Sequence, residues 1–252
     1  MSPLAELLRV TAVTKRFQGV EALADIDLAV QEGTVHGVVG PNGAGKTTLL
    51  NVMSGYVRPD AGRIELAGRD ITRLTPQLRV PLGLVRTFQN IRLYGGLTVL
   101  ENVLLGQHTR ARTGLRSLWP FPTPQERALR AEAEAALELF ELAPYRSRRA
   151  AELPYGLQKQ LEMARAMAAR PRVLLLDEPA AGMTTDGRHA LVERLHELRG
   201  QGLTIVVVEH DMDVIAKVCD HVTVLNFGRT LTEGPPAVVL AGDEVRTAYL
   251  GT

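Results

Sequence analysis

The fold of this chain is decided by one glycine-rich stretch, Gly40-Pro41-Asn42-Gly43-Ala44-Gly45-Lys46-Thr47-Thr48. An apolar run precedes this stretch at 35–39, and a second apolar run follows it at 49–53. This order predicts a buried strand, a glycine loop and then a helix, which is the setting of a phosphate-binding P-loop.

The residue types in this loop suit the binding of a triphosphate. Glycines let successive backbone N–H groups turn toward an anion, and the following helix directs its positive end to the same place. We expect Lys46 to reach the β- and γ-phosphates, Thr47 to bind Mg²⁺ and Thr48 to donate to a phosphate oxygen. The competing interpretation is an ordinary glycine turn before a helix, which the spacing disfavours. The sequence therefore predicts that the chain binds a nucleoside triphosphate.

Bulk properties exclude several other classes. The 252 residues are enough for one large α/β domain, and a net charge of +1 without long basic runs disfavours nucleic-acid binding. The chain has no apolar run of the ~18 residues that a membrane span needs and no signal-peptide pattern. The single cysteine, Cys219, excludes an internal disulfide, and we expect it to fill the core on a helix. These features predict a cytosolic chain, unless another subunit holds it at a membrane.

Near-continuous apolar strands predict a mostly parallel core sheet. The runs 173–176 and 203–208 alternate with helices, which is typical of a parallel sheet covered on both faces. Polar residues follow both runs, and ligands bind at the carboxyl ends of such strands. Asp177 suits a carboxylate that acts on Mg²⁺, and Glu178 suits a general base for an attacking water. His210 suits a hydrogen bond to the γ-phosphate or to that water.

Two further regions accompany the core. Four strands are predicted to form a small antiparallel sheet beside it, namely 7–17, 23–30, 62–68 and 229–233. From 76 to 159 the pattern changes to helices and loops, with a capping box at 123–126. We therefore predict one domain, 1–252, in which 1–75 and 160–252 form the core and the antiparallel β subdomain. The segment 76–159 forms an inserted α-helical subdomain.

The roles of the aromatic residues Phe17, Trp119 and Phe121 each allow two interpretations. Phe17, at the end of the first strand, suits stacking on an adenine ring and equally suits core packing. Trp119 and Phe121 lie in a proline-containing stretch that suits either contact with a partner or a locally packed loop.

Five motifs together resemble those of ABC-type ATPases in order and spacing. They are the Walker A motif at 40–48, the Q-loop with Gln89, the signature at 153–158, the Walker B motif at 174–178 and the switch histidine His210. The likeness covers essentially the whole chain. Within that group, the stretches 86–93, 97–103, 155–156, 177–182 and 249–251 look like the LivG type, which is the ATP-binding subunit of branched-chain (hydrophobic) amino acid importers.

The resemblance implies an α/β P-loop NTPase that uses ATP and Mg²⁺. It also implies that two ATPase subunits close head to tail, either as a homodimer or with a second ATPase subunit. Each ATP then lies between one P-loop and the signature motif of the other subunit. Two membrane permease subunits would hold the dimer at the cytoplasmic face of the inner (plasma) membrane. A substrate-binding protein would take part indirectly, and no nucleic acid would be bound.

The same resemblance assigns roles to individual side chains. It implies that the catalytic residues are Glu178, His210, Gln89 and Lys46. It implies that the metal ligands are Thr47, Gln89 and Asp177. The residues that would bind the ATP held by the other subunit are Pro154, Tyr155, Gly156, Leu157 and Gln158.

Two departures from the family pattern affect these assignments. The usual signature L-S-G-G-Q has a serine where this chain has Pro154, so a hydroxyl donor to the γ-phosphate is missing. Leu157 occupies the glutamine position, although Gln158 follows, and the D-loop has Thr184 in place of its acidic residue. Loss of one transition-state donor costs ~10²–10³ in rate in other enzymes. An asymmetric heterodimer tolerates such a loss more easily than a homodimer.

Two other functions compete with transport. A soluble ABC-type ATPase that acts on DNA or ribosomes usually needs two fused cassettes, a long coiled coil or basic arms, and the sequence shows none of these. A regulatory subunit with little catalysis is disfavoured by Lys46, Asp177 and Glu178. The solute is not identified, because ATPase subunits do not contact it.

Overall fold

The computed structural model describes residues 5–88, 91–108, 110 and 123–250. The strands are β1 (Glu6–Phe17), β2 (Val20–Gln31), β3 (Val35–Val39), β4 (Ala61–Leu66), β5 (Arg69–Asp70), β6 (Leu84–Arg86), β7 (Val173–Asp177), β8 (Thr204–Val208), β9 (His221–Asn226) and β10 (Arg229–Gly234). The helices are α1 (Lys46–Ser54), α2 (Pro76–Arg79), α3 (Val99–Gly106), α4 (Pro124–Leu139), α5 (Tyr155–Ala168), α6 (Thr185–Gly200), α7 (Met212–Val218), α8 (Pro236–Val239) and α9 (Asp243–Leu250).

The chain forms two compact units. The core unit comprises Met1–Arg86 and Arg172–Thr252, and the helical unit comprises Thr87–Pro171. Both boundaries of the helical unit lie later in the chain than the limits 76 and 159 expected from the sequence pattern.

The core unit contains two sheets. The larger sheet has the order β10-β9-β3-β8-β7-β6, with β10 antiparallel and the other five strands parallel. The smaller sheet is antiparallel and has the order β2-β1-β4-β5. The predicted combination of a mostly parallel core sheet and an antiparallel sheet is confirmed.

One strand lies in a different sheet from the one predicted. The sequence pattern places 229–233 in the antiparallel sheet, but β10 pairs with β9, with Arg229 opposite Asn226. The reason is the two-residue turn between them, in which Phe227 and Gly228 both have positive φ, 45° and 75°. Turns of this kind reverse the chain directly into a hairpin, so the strand pairs with its immediate predecessor. The prediction for this strand is wrong.

The two sheets and α1 share one hydrophobic core. Val10 and Ile26 of the antiparallel sheet, Leu49 of α1, and Val38 and Leu175 of the parallel sheet belong to the same buried cluster. Strands β3, β7 and β8 are buried along their whole length, because both faces of the sheet are covered. These strands are parallel neighbours, so their carboxyl ends meet at one edge of the sheet.

The helical unit is built from α3, α4 and α5, which contact one another. Helix α4 begins at the predicted capping box, where Glu126 N–H donates to Thr123 Oγ1 and Thr123 N–H donates to Glu126 Oε2. Its apolar face is buried as predicted, through Leu129, Ala133 and Leu137. Trp119 and Phe121 lie outside the described residues.

Cys219 is buried directly after the last residue of α7. It fills the core as predicted, although at the helix end and not within the helix. Burial raises the pKa of the Cys219 thiol to about 12, so the thiol stays protonated at neutral pH.

Candidate functional site

The P-loop connects the buried strand β3 to α1. Helix α1 begins at Lys46, and its N-cap residue, Gly45, has a left-handed backbone with φ 104°. A Cβ atom on Gly45 would meet the carbonyl oxygen of Ala22 at 2.7 Å, and one on Gly40 would meet that of Leu225 at 2.2 Å. Glycine is therefore required at both positions, because neighbouring backbone passes too close for a side chain.

The Lys46 ammonium lies inside this loop. Its Nζ atom donates to the carbonyl oxygen of Gly40 at 2.6 Å and to that of Pro41 at 3.0 Å. Burial lowers the pKa of Lys46, and the charges of Glu178 and Asp177 oppose that lowering. The P-loop follows β3, and the two acidic residues lie at the carboxyl end of β7, so the loop and both acidic residues are at the same edge of the parallel sheet.

The outer part of the loop is accessible to solvent. Asn42, Gly43 and Thr47 are exposed, Thr48 is half-buried, and Ala44 packs into the core. An adjoining cavity of about 650 Å³ is lined by the loop, the β9–β10 turn and α9.

Helix α9 contacts the first residue of the P-loop. The backbone N–H of Gly40 donates to the hydroxyl oxygen of Tyr249 at 2.6 Å. Burial raises the pKa of Tyr249 to about 12, so this hydroxyl remains protonated at neutral pH. The Y-L-G ending marks Tyr249 in the sequence, but no sequence pattern predicts that it contacts Gly40.

Asp177 and Glu178 lie where the parallel strands end. Asp177 is the last residue of β7 and is buried. Glu178 follows with φ 47°, and its N–H donates to the carbonyl oxygen of Val208 at 2.9 Å. A left-handed backbone is uncommon for a residue other than glycine and is found preferentially at functional sites. This local strain therefore agrees with a chemical role for Glu178.

His210 is mostly exposed and follows a buried glutamate. The His210 side chain is 61% exposed, and its Nδ1 atom lies 3.7 Å from Glu209 Oε2. Glu209 accepts hydrogen bonds from the N–H groups of Ala180 and His210, at 2.6 and 3.1 Å. Burial raises the pKa of Glu209, and these hydrogen bonds oppose the rise. Glu209 thus links the loop that carries Glu178 to the loop that carries His210, and the only hint of it in the sequence is a carboxylate after an apolar strand.

Phe17 does not pack in the core. Its side chain is 44% exposed at the end of β1, and Lys15 Nζ lies 5.2 Å from the centre of its ring. Of its two interpretations, core packing is therefore excluded.

The Q-loop glutamine, Gln89, and its neighbour Asn90 lie outside the described residues. The residues on either side are held by one glutamate of α5, since the N–H groups of Phe88 and Arg92 donate to Glu162 Oε1 at 3.4 and 3.5 Å. Burial raises the pKa of Glu162, and both hydrogen bonds act in the opposite direction. Glu162 therefore contacts the described backbone on both sides of residues 89 and 90, and no sequence pattern predicts this contact.

The signature residues open helix α5. They are Pro154, Tyr155, Gly156, Leu157 and Gln158. Pro154 is the N-cap residue and makes no side-chain hydrogen bond to the helix. Tyr155 and Gly156 are exposed, whereas the Gln158 amide donates to the carbonyl oxygen of Leu153 at 2.9 Å.

Thr184, the other departure from the family pattern, has a local role. It is the N-cap residue of α6, and its hydroxyl accepts a hydrogen bond from the N–H of Gly187 at 3.2 Å. Such caps stabilise a helix by about 1 kcal/mol.

The residues present fit a Mg²⁺ ion that is bound together with a nucleotide. Thr47 and Asp177 offer oxygen atoms, which this hard cation prefers. Within the described ranges, no group of three or more histidines, cysteines, aspartates or glutamates is placed to hold a metal by itself. A Mg²⁺ ion here would take its remaining ligands from phosphate and water oxygens.

Asp177 has a buried cationic partner, Arg86, which is the last residue of β6. Arg86 Nη2 lies 2.8 Å from Asp177 Oδ2, and the two side chains are 5% and 4% exposed. Nη1 of the same guanidinium donates to Asn51 Oδ1 at 2.7 Å and to Ser54 Oγ at 3.0 Å. One sequence pattern could have identified Arg86. It is a charged residue at the end of a short apolar strand, the same pattern that identified Asp177.

Known proteins resemble this chain over nearly its full length. Residues 23–181 match the ABC transporter family. The chain is 40% identical to the high-affinity branched-chain amino acid transport ATP-binding protein BraF of Pseudomonas aeruginosa, over 97% of this chain and 98% of that protein. Its identity to LivG of Salmonella typhimurium, a protein of the same description, is also 40%, with the same two coverages.

Solved structures agree with this relationship. The ADP conformation of an ATP-binding cassette of an ABC transporter superimposes with a TM-score of 0.87 at 33% identity, covering 98% of this chain and 100% of that one. A dimeric ATP-binding cassette in a post-hydrolysis state, bound to ADP and Pi, gives a TM-score of 0.78 at 26% identity, covering 91% and 99%. The chain therefore has the P-loop NTPase fold and belongs to the ABC transporter family, as one of its ATP-binding cassettes.

Proposed function

We propose that the chain is the ATP-binding and ATP-hydrolysing subunit of an importer for branched-chain or related amino acids. The observation that carries this proposal is the P-loop between β3 and α1, with Lys46 inside it and with Asp177 and Glu178 at the carboxyl end of β7 in the same parallel sheet. Relatives at 40% identity are branched-chain amino acid transport ATP-binding proteins. Their descriptions favour transport over the DNA- or ribosome-associated alternative.

The proposed chemistry is divided among the side chains of the core unit. Lys46 and the backbone N–H groups of the P-loop hold the phosphates. Thr47 and Asp177 hold Mg²⁺, which neutralises phosphate charge when it is bound. Glu178 accepts a proton from the attacking water, and His210 hydrogen-bonds that water or the γ-phosphate.

Three further residues complete the proposed nucleotide contacts. Phe17 presents an exposed ring on which the adenine can stack. Thr48 donates to a phosphate oxygen. Gln89 serves as a metal ligand and reports the γ-phosphate to the helical unit.

We propose that hydrolysis requires a second ATPase subunit. The exposed start of α5, at Tyr155 and Gly156, directs the positive end of a helix outward, where it suits the γ-phosphate of ATP on another subunit. A similar cassette has been solved as a dimer with ADP and Pi. Because Pro154 lacks a hydroxyl, we favour a heterodimer over a homodimer.

The membrane partners belong to the same proposal. Two permease subunits hold the ATPase pair at the cytoplasmic face of the membrane, and a binding protein delivers the solute to them. Over the described part of the chain, no helix combines the length and the apolar character that crossing a membrane requires.

Substitution of Glu178 by Gln tests the division between binding and hydrolysis. We expect Glu178→Gln to keep ATP affinity within about twofold. Turnover of the assembled complex should fall at least ~10²-fold, because a general base contributes roughly 10²–10⁴-fold to the rate.

The variant Lys46→Ala should instead lose nucleotide affinity, which a fluorescent ATP analogue measures.

The matched control is Glu193→Gln, on the exposed face of α6, which should change neither quantity. Sustained turnover in Glu178→Gln would remove Glu178 from the base role. Co-purification tests the partners, and recovery of ribosomes or DNA in place of membrane proteins would contradict the transport function.

A further inference from the structure

We propose that Arg86 is a positioning residue for Asp177. Its Nη2 atom holds one carboxylate oxygen of Asp177, and its Nη1 atom binds α1, the helix that follows the P-loop. In this way Arg86 orients the carboxylate that binds Mg²⁺, and Mg²⁺ in turn tightens nucleotide binding. The inference rests on the proposed function, because that function assigns Asp177 to the metal.

The contacts of Arg86 support this role. Arg86 pairs in register with Leu175, two residues before Asp177 on the neighbouring strand. One side of its guanidinium binds Asp177 Oδ2, and the other side binds Asn51 and Ser54 on α1. Helix α1 also carries Thr47 in its first turn. A single rigid group therefore connects the proposed metal carboxylate to the helix that supplies the other proposed ligand.

The chemistry of the guanidinium explains why an arginine is suited to this position. Its planar fork makes several hydrogen bonds in fixed directions and stays charged, whereas a lysine ammonium is a point charge on a flexible stem. The ion pair occupies Oδ2 of Asp177 and would leave Oδ1 to bind the metal. Because the pair is buried, solvent screens it little, and the orientation of the carboxylate is well defined.

Two effects of Arg86 on a bound metal oppose each other. Its positive charge repels Mg²⁺, while its hydrogen bonds orient the carboxylate that binds the metal. Loss of an outer partner that orients a metal ligand typically costs 10–100-fold in metal affinity. We therefore expect orientation to outweigh repulsion, so that removal of Arg86 weakens the effect of Mg²⁺.

The test is the factor by which Mg²⁺ tightens nucleotide binding. The affinity of the full chain for a fluorescent, non-hydrolysable ATP analogue is measured with Mg²⁺ and with a chelator. We expect Arg86→Lys to reduce this factor about tenfold relative to the unmodified chain. Affinity without Mg²⁺ should stay within about twofold, because the P-loop is unchanged.

The matched control is the same substitution at Arg79, a buried arginine that binds only backbone carbonyl groups in the described structure. Arg79→Lys should lower the thermal unfolding midpoint and leave the Mg²⁺ factor unchanged. An equal loss of the factor in both variants would overturn the proposal, since general loosening of the core would then explain it.

Asp177→Asn separates this inference from the proposed function. It should abolish the Mg²⁺ factor, and an unchanged factor there would remove Asp177 from the metal site. If Asp177→Asn loses the factor and Arg86→Lys keeps it, only the role of Arg86 is overturned.

If Arg86→Lys does not fold, the variant Asn51→Ala tests the proposal instead. It removes one of the contacts that Arg86 makes to α1, so it should lower the Mg²⁺ factor about threefold. An unchanged factor in Asn51→Ala would then overturn the proposal.

Discussion

Arg79 and Arg86 are both buried, but they contact different kinds of acceptor. The Arg79 guanidinium donates to four carbonyl oxygens, those of Val52, Met53, Thr72 and Leu74. Two of these belong to the last turn of α1, where carbonyl groups lack partners within the helix. Burial lowers the pKa of Arg79 to about 10, which still leaves it charged at neutral pH. Arg79 is thus a structural cation that closes α1, whereas Arg86 is paired with a carboxylate of the candidate site.

A buried histidine makes stability depend on pH. His36 lies in β3 with Nε2 2.9 Å from Thr223 Oγ1, and the His221 ring centre is 5.1 Å away. Burial, with a contribution from His221, lowers the pKa of His36 from 6.5 to about 3. The unfolded chain therefore binds a proton at this residue near pH 6.5, and the folded chain does not. The stabilisation is complete above about pH 6.5 and is lost progressively as the pH falls toward 3.

We expect His36 alone to lower the free energy of unfolding by about 2 kcal/mol between pH 7 and pH 5. Urea unfolding at the two pH values measures this loss. The variant His36→Gln keeps a polar side chain without the titration, so its loss over the same range should be smaller by that amount. Equal losses in the two proteins would show that His36 does not carry the effect.

At the scale of secondary structure elements, the β9–β10 hairpin carries an unusual turn residue. Phe227 has φ 45° and is 85% exposed, so it occupies a strained backbone conformation without burying its ring. Asn and Gly are the residues preferred in such turns, and a left-handed conformation costs other residues about 1–2 kcal/mol. We expect Phe227→Asn to raise the free energy of unfolding by about 1 kcal/mol in a denaturant titration.

The matched control for this hairpin is Val20→Asn, which replaces another exposed apolar residue at the start of β2. Val20 is not among the residues with positive φ, so its substitution should give no gain in stability. A loss of stability in Phe227→Asn would mean that the aromatic ring contributes more to the hairpin than its backbone strain costs.

At the scale of the whole molecule, local patterns in the sequence predicted much of the fold. The parallel core could be predicted because strands covered on both faces read as apolar runs. The P-loop could be predicted because its nine residues are contiguous. The pairing of β10 with β9 could not be predicted, because it depends on the conformation of the Phe227-Gly228 turn.

The supporting residues of the candidate site escaped prediction for a different reason. The contact from Arg86 to Asp177 joins residues 91 positions apart, and that from Phe88 to Glu162 joins residues 74 apart. The contact from Ala180 to Glu209 spans 29 positions. Each of these residues is recognisable only by its partner, which a single sequence does not reveal.

The assembled complex offers a test of the altered signature. We expect Pro154→Ser to raise ATP turnover of the complex about tenfold, because it restores a hydroxyl donor for the ATP of the other subunit. Nucleotide affinity of the isolated chain should not change. Pro144→Ser, the same substitution at an exposed proline of the helical unit, serves as the control. Unchanged turnover in Pro154→Ser would indicate that this signature does not act on hydrolysis.

The hydrogen bond between Tyr249 and Gly40 has a practical consequence for anyone who purifies this protein. Tyr249 is the next-to-last residue of α9, so an affinity tag fused directly after this helix would start two residues beyond the side chain that binds the P-loop. Such a fusion can pull on α9 and thereby alter the apparent affinity for ATP. Binding assays should therefore use a tag at the amino end, or one that is removed before measurement.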